Sequence, residues 1–595
     1  MSHNLVTLRK KREPGPLDQS VLDRLRVAMD RERVLTRETL KRIAKESGVP
    51  EATVYGVATF YGDLSVKRRG DVRVHVCTGT ACVASGDEHV RFLEEATGVR
   101  LGETSAGGEV SLEPVYCLGL CNAAPAVLVS RVSASSLGDR HGDGAHLRTV
   151  YGDLSRENAR AIATGAHAAD EPRPRIESRS SPTIVLRNMV DGADATTLDK
   201  ARARGAWRAY EAAREAKDPP RGSAAPAATV LEAVAGSGLR GRGGAGFSTG
   251  QKWRFAAAQP AGEKWVVCNA DEGDPGSYID KWILELDPHA VLEGMALAGF
   301  AIGATHGAIY VRSEYPRAVE AMKRAVAEAR AAGLLDRFDV RVVEGAGSYV
   351  CGEETALLRS IEGLRGMVTA RPPYPAEKGL FGKPTVVNNV ETLANVPWIV
   401  AHGGAAYAAI GVGKSRGTKA ISLSSVFARP GVYEVPLGVS LRTICEEIGG
   451  GTRSGKPIKG VQIGGPLGGI VPAALFDTPF GFEELDAIGA LLGHGGIVAF
   501  EEGTDMKRIA RHLFEFGDAE SCGKCFPCRI GMRRGLEMVE RPAVDVPLLN
   551  ELLETMRWGS LCAHGGGLPA AIESIVKHWP DELLSRHVVS RGEAE

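Results

Sequence analysis

A chain of 595 residues with 44% hydrophobic and 24% charged side chains has the make-up of several ordinary globular domains. Its net charge of −1 excludes the global basic field that nucleic acid or an anionic membrane would select. With no apolar run near the ~20 residues of a membrane span and no apolar leader in MSHNLVTLRKKREPGPLD, the expected location is the cytoplasm.

Residues 18–68 are expected as an N-terminal helical bundle, because Val21, Leu22, Leu25, Ala28 and Met29, then Leu40, Ile43 and Ala44, recur at helical intervals. The run VRVHVC at 72–77 alternates as a strand that ends on Cys77. A helix over 86–97 and a strand over 110–116 follow, so 69–165 reads as a small α/β module. Within it, the Ser-, Gly- and His-rich stretch 133–147 predicts an exposed hairpin loop. Residues 166–225, polar and rich in Pro, Ala and Gly, are expected as a linker. From 226 to 405 strand and helix signals alternate, as in VVCN, AIYV and VRVVE. Residues 418–500 carry short alternating runs among many glycines, and 506–590 are helical around a cysteine loop. The fold class is multidomain α/β.

The chain has 11 cysteines, and most of them stand in two quartets. Cys77-x4-Cys82 is completed by Cys117-x3-Cys121, and Cys522-x2-Cys525-x2-Cys528 by the distant Cys562. Short spacing lets one turn present several soft anionic thiolates to a compact inorganic core, which is what iron–sulfur clusters need. The three-cysteine run plus one suits [4Fe-4S], and the paired arrangement suits [2Fe-2S] with two ligands per iron. Tetrahedral zinc also takes four cysteines, but zinc loops more often use C-x2-C in both halves. Cys268, Cys351 and Cys445 have no partner at ligand spacing and read as small buried hydrophobes. Two cluster sites in one polypeptide imply electron traffic between them.

Gly241-Arg242-Gly243-Gly244-Ala245-Gly246 matches G-x-G-x-x-G. A dinucleotide fingerprint should follow a strand, whereas VLEAVAGSGL before it reads as the end of a helix, so the Rossmann reading fails on context. The physical content survives: bare backbone lets amides approach a phosphate or a flat ring, with Arg242 and Lys252 adding charge. Polar groups follow in Asn269-Ala-Asp271-Glu272-Gly-Asp274, Tyr349-Val-Cys-Gly352-Glu353-Glu354 and Asn388-Asn389-Val-Glu391-Thr392. Their placement after strand-like runs points to a binding crevice.

The strings SGLRGRGGAGFSTGQKW, CNADEGDPGS, YVCGEETALLRSIEG, GKPTVVNNVETLAN and ESCGKCFPCRIG resemble the FMN- and NADH-binding subunit of respiratory complex I over about 226–590. Residues 18–165 resemble its thioredoxin-like [2Fe-2S] subunit through VCTGTAC and CLGLCNAAPAV. The same pair of parts belongs to diaphorase subunits of NAD-reducing hydrogenases and soluble NAD-dependent formate dehydrogenases. The resemblance implies that FMN contacts Gly241, Arg242, Gly243, Lys252, Asn269, Asp271, Glu272, Tyr349, Gly352, Glu353, Glu354, Asn388, Asn389 and Thr392, with Gly244 in the same cofactor-binding set and Asp274 in its nucleotide half. It further implies that NAD stacks on the flavin near Phe247, Phe255, Arg371 and Tyr374. Asp274 stands where the family has Glu, Arg371 where it has Lys, and Tyr374 where Phe is frequent. A Rossmann-like FMN- and NAD-binding domain at 226–405, a β-grasp-like domain (SLBB-type) at 418–500 and a helical [4Fe-4S] domain at 506–590 are implied as well.

NAD exchanges hydride while clusters pass single electrons, so a flavin must stand between them. The implied function is the diaphorase (β) subunit of an NAD-dependent formate dehydrogenase. The implied partner is a catalytic subunit carrying a molybdenum or tungsten pterin and further clusters. The alternatives are a Ni–Fe hydrogenase module or a complex I fusion. No nucleic-acid partner is expected, and the assembly is expected to be hetero-oligomeric.

Overall fold

The computed structural model describes residues 20–86, 88–131, 147–164, 171–215 and 226–584. The hairpin loop expected at 133–147 falls outside them except for Leu147. Three helices, Val21–Glu32, Arg37–Ser47 and Glu51–Ala58, open the chain. Ser20 and Asp23 form a capping box at the first, and the Thr36 hydroxyl accepts from the Thr39 amide at the second. Their apolar stripe (Leu25, Ile43, Val54, Val57) packs not on the module that follows in sequence but against Trp265, Val267, Tyr310 and Leu357 of the central one. Each fully buried Leu or Val there contributes roughly 1.5–3 kcal/mol. The Tyr61 hydroxyl pins the contact by donating to Leu364 O at 2.7 Å.

Strands β1 (Val72–Cys77), β2 (Val110–Val115), β3 (Val127–Arg131) and β4 (Leu147–Tyr151) form a sheet of order β2-β1-β3-β4. Its β1/β2 pair is parallel and its other pairs antiparallel.

The stretch expected as a linker is a correction. Residues 171–215 are built into the fold. They supply β5 (Arg175–Ser178), two short helices, and the buried Ile184, Val185, Leu186, Trp207 and Tyr210. The amides of Ile184, Val185 and Leu186 all donate to the Glu434 carboxylate, at 2.8–3.1 Å. Three directed bonds to one buried anion satisfy an irregular backbone that no ladder would.

The central module has four parallel strands, β6 (Trp265–Ala270), β7 (His306–Val311), β8 (Asp339–Glu344) and β9 (Thr385–Asn389), in the order β8-β7-β6-β9. β6, β7 and β9 are buried almost throughout, whereas the edge strand β8 exposes Asp339 and Arg341. A second, mixed sheet takes β5 at its edge, next to β11, in the order β13-β12-β14-β10-β11-β5. Its strands are β10 (Thr418–Leu423), β11 (Gly431–Pro436), β12 (Ile458–Ile463), β13 (Ile470–Pro472) and β14 (Gly496–Glu501). Four helices, Met506–Ala519, Phe526–Val539, Val546–Gly559 and Ala563–His578, close the chain as a bundle.

Candidate functional site

In the central sheet the chain runs from β6 to β7 on one side and reaches β9 on the other. The topological switch point, where open α/β sheets bind ligands, therefore lies between β6 and β9. All three polar motifs stand at the carboxyl ends of these parallel strands. Asn269 and Ala270 end β6 and Asp271–Asp274 follow it, Gly347–Glu354 follow β8, and Asn388 and Asn389 end β9. Asn269 Nδ2 donates to Gly352 O at 2.8 Å and ties the first motif to the second.

The glycine loop joins helix Pro226–Gly236 to helix Thr249–Ala257, so it is a helix-to-helix turn, as its context indicated. Gly241 N donates to Phe247 O at 2.8 Å and closes it. A Cβ on Gly243 would lie 2.8 Å from Asn389 Cβ, so the loop rests directly on the end of β9. Gly244, at φ 121°, pairs with Gly493 of the mixed-sheet module. The Arg242 amide donates to Thr392 Oγ1 at 2.8 Å.

Several of the expected ligands also have structural partners. The Arg242 guanidinium is fully buried and donates to Tyr407 OH (2.8 Å) and Arg416 O (2.6 Å). Glu272 accepts the amides of Ile279, Asp280 and Lys281 and the Ser277 hydroxyl, so its carboxylate caps helix Ile279–Leu286 instead of facing the crevice. Glu353 caps helix Glu354–Ile361, Asn388 Oδ1 accepts from Trp253 Nε1 at 2.8 Å, and Asn389 Oδ1 caps helix Val390–His402. Other groups stay available. Asp271 Oδ2 is buried without a partner among the described residues, and burial drives its pKa well above the carboxylate norm. Asp274, also raised by burial, accepts from Tyr349 OH at 2.6 Å.

The rim is cationic and aromatic. Glu354 holds Lys252 Nζ at 3.2 Å and Arg371 Nη1 at 2.8 Å. Phe247, Phe255 and Tyr374 are 45%, 50% and 54% exposed, a concentration of bare aromatic surface that globular proteins normally bury.

Both cysteine quartets are assembled. Cys77 ends β1, Cys82 sits in the short helix Thr80–Ala84, and Cys117 and Cys121 follow β2. Cys117 and Cys121 Sγ stand 3.6 Å apart. The Cys77 thiol is lowered to about 7 by a hydrogen bond from Cys82, helped by the amides of Gly79, Cys117 and Leu118. Those amides are the donors a ligating thiolate needs. In the bundle, Cys525 and Cys562 are the N-caps of helices Phe526–Val539 and Ala563–His578, so two positive helix termini converge on the anionic site. Burial first, then the neighbouring thiols, pushes Cys528 up to about 12. Gly565 has to be bare because a Cβ there would meet Cys528 Cβ at 2.6 Å. A single zinc would draw four sulfurs to about 3.8 Å of one another. Among the described residues no three thiols lie within 4.8 Å of one another.

Tyr116, beside Cys117, packs edge-on to Phe516 at 5.1 Å, and Phe516 packs on Tyr349 at 4.9 Å. Tyr349 then meets His564, two residues from Cys562, at 5.6 Å. Arg312 Nη2 donates to Cys117 O at 2.9 Å and Ser425 N to Cys121 O at 2.7 Å, so the N-terminal thiol module is locked to the middle of the chain.

Residues 10–142 match the thioredoxin-like [2Fe-2S] ferredoxin family, 234–398 the Nuo51 FMN-binding domain, and 508–586 the NADH-ubiquinone oxidoreductase-F iron–sulfur binding region. One of the NADH-quinone oxidoreductase subunits of Rhizobium meliloti is 40% identical over 69% of this chain and 98% of its own length. This chain belongs to the family of that NADH-quinone oxidoreductase component. The NAD-reducing hydrogenase HoxS subunit alpha of Cupriavidus necator is 33% identical over 90% of this chain and 86% of its own. A crystal structure of NAD+-reducing [NiFe]-hydrogenase superposes with a TM-score of 0.79 at 28% identity, covering 96% of this chain and 94% of that one. The protein is thus a multidomain α/β flavin and iron–sulfur oxidoreductase component whose cofactors are FMN, NAD, [2Fe-2S] and [4Fe-4S]. No helix among its described residues is long and apolar enough to cross a membrane.

Sequence reasoning missed a buried polar cluster beside the glycine loop: Asp280, Glu391, Lys419 and His494. Nothing in their local strings announces it, because the four come from segments up to 214 residues apart.

Proposed function

We propose that this chain is the diaphorase subunit of a hydrogenase-type assembly, exchanging electrons between a nicotinamide nucleotide and a metal centre held by a partner subunit. The observation that carries the reading is the convergence of the switch-point crevice and both thiol quartets on one packed core. The orphaned Asp271 oxygen, the bare Gly241–Gly244 backbone and the two quartets of free thiols fit FMN and clusters as occupants. When bound, FMN supplies the conversion between hydride and single-electron chemistry, and the clusters carry the electrons onward.

The protein's own groups do the rest. Gly241, Gly243 and Gly244 let the loop backbone approach the flavin, while Asn269, Asp271, Asp274, Tyr349, Gly352, Asn389 and Thr392 line its polar edge. Phe247, Phe255 and Tyr374 offer faces for the nicotinamide nucleotide. Lys252 and Arg371, tethered by Glu354, meet its phosphates. In balance, NADH gives up one hydride, two one-electron acceptors are each reduced, and one proton is released. Cys525 and Cys562 are the half-exposed ligands of their quartet, and Phe526, Trp558 and Leu561 beside them are 67%, 79% and 41% exposed. That apolar surface is where a partner docks to take electrons.

The formate reading rests on the sequence resemblance alone. The hydrogenase-type relatives match across both ends of the chain and favour the Ni–Fe alternative. The decisive experiment is purification with bound partners, metal analysis, and assay of NAD reduction by hydrogen and by formate. Nickel with hydrogen-dependent reduction supports the proposal, and molybdenum or tungsten with formate-dependent reduction replaces it. A chain that carries iron and sulfide yet takes up no flavin refutes the diaphorase role altogether.

A further inference from the structure

The cluster missed in sequence is a clamp between two modules. His494 lies in the loop before β14 and is 6% exposed. Its Nε2 stands 3.0 Å from Asp280 Oδ2, 3.6 Å from Glu272 Oε1 and 3.4 Å from Asn389 Nδ2. Asn389 Nδ2 donates to the same Asp280 oxygen at 2.7 Å. Lys419 Nζ donates to His494 O at 2.7 Å and is ion-paired with Glu391, both groups wholly buried.

The backbone around His494 is shaped to make this approach. Gly493 and Gly495 adopt φ of 57° and 91°, a region that costs other residues roughly 1–2 kcal/mol. A side chain on Gly493 would overlap Gly464, and one on Gly495 would strike Lys419. Stripped of Cβ atoms, the loop seats Gly493 against Gly244 of the glycine loop. From His494 a continuous path runs through Asp280 and Asn389 to Thr392, whose hydroxyl accepts from the Arg242 amide.

We propose that His494, delivered by the mixed-sheet module, is a positioning residue of the flavin site: its imidazolium fixes the Asp280 carboxylate, which in turn accepts from Asn389 Nδ2 and so holds the glycine loop in place, and it sets the charge beneath them. The inference rests on the flavin reading above. The charged groups that face His494 are Asp280, Glu272 and Lys419, with Glu391 behind Lys419 and Asp274 within reach of its field. Burial alone would lower the His494 pKa, but Asp280 and Glu272 outweigh it and raise the value to about 9. Because the folded value is raised, the clamp is complete at neutral pH and is lost as pH rises through it.

The test uses the full chain loaded with FMN. Released flavin is followed by fluorescence after dilution, and cluster EPR signals report an intact fold. Wild type should release FMN faster as pH climbs from 8 to 10, by about tenfold for the loss of one charged hydrogen bond. H494Q should release it about tenfold faster already at pH 7, with no further step in that interval and with a more negative flavin potential. D280N, which keeps the side-chain shape, should abolish the same pH step. A wild-type protein with no step between pH 8 and 10 overturns the inference without any variant, and so does H494Q with wild-type retention and potential. Wild type that binds no FMN sinks the underlying reading instead, so the two failures are distinguishable.

Discussion

Gly241 and Gly243 lie two residues apart in one loop, and the structure separates what each of them does. Neither is in the left-handed region, so an alanine at either position meets no backbone strain. The Gly241 Cβ position is open, its nearest neighbour being Phe247 O at 3.7 Å. The Gly243 position is closed: Asn389 Cβ stands at 2.8 Å and its Cγ at 3.2 Å. Asn389 is held by Thr392 N at 2.9 Å and Asp280 at 2.7 Å, so it cannot yield without breaking its cap. G243A should therefore cost about 1–3 kcal/mol of overpacking plus up to about 1 kcal/mol of lost capping. G241A should leave the apo-protein within about 0.5 kcal/mol of wild type. Both should lose flavin, G241A only because a methyl group stands where the ligand approaches. The assay is FMN per iron in purified protein together with the thermal midpoint of the flavin-stripped form. A destabilised G241A apo-protein, or a G243A that keeps both its midpoint and its FMN, would refute the reasoning.

Three other outcomes are expected. K419M leaves Glu391 as a buried uncompensated charge and should cost about 3–5 kcal/mol, whereas K419M/E391L should recover all but about 1–2 kcal/mol; additive losses in thermal melts would contradict a coupled pair. E354Q unties Lys252 and Arg371 and should lower the KM for NADH about threefold, in keeping with a weak rim pair, while iron and FMN stay constant; a raised KM would make Glu354 a nucleotide ligand instead. F526E and W558E should weaken capture of the partner subunit about 30-fold, as central interface anchors do, with NADH–ferricyanide turnover unchanged; undiminished capture would move the docking surface elsewhere.

The cysteine quartets were legible because ligand spacing is local: a short loop must carry its sulfurs close together in sequence. The crevice was legible for a related reason, since strand ends deliver their polar residues in short strings such as Asn269–Asp274. The mistaken linker shows the limit. Polar and Pro-rich composition dominates 166–225, yet what pins residues 184–186 within it is Glu434, some 250 residues away, and no window on the sequence contains both. The scaffold role of Glu272 was hidden because an acidic residue before a helix looks the same whether it caps the helix or faces a ligand. His494 sits among glycines in a segment with no motif, and its partners Asp280 and Asn389 belong to another module.

The locking of the N-terminal thiol module has a consequence for how current flows. Carriers on swinging arms depend on diffusion through solvent, and their throughput falls as the medium thickens. Here Ser425, Arg312, and the contact of Thr80 Oγ1 with His512 Nε2 at 3.3 Å bolt the module to the body of the protein. The aromatic stack from Tyr116 to His564 fills the space between the two cradles. Electron transfer through a polypeptide wired this way, a soldered circuit, should be indifferent to glycerol.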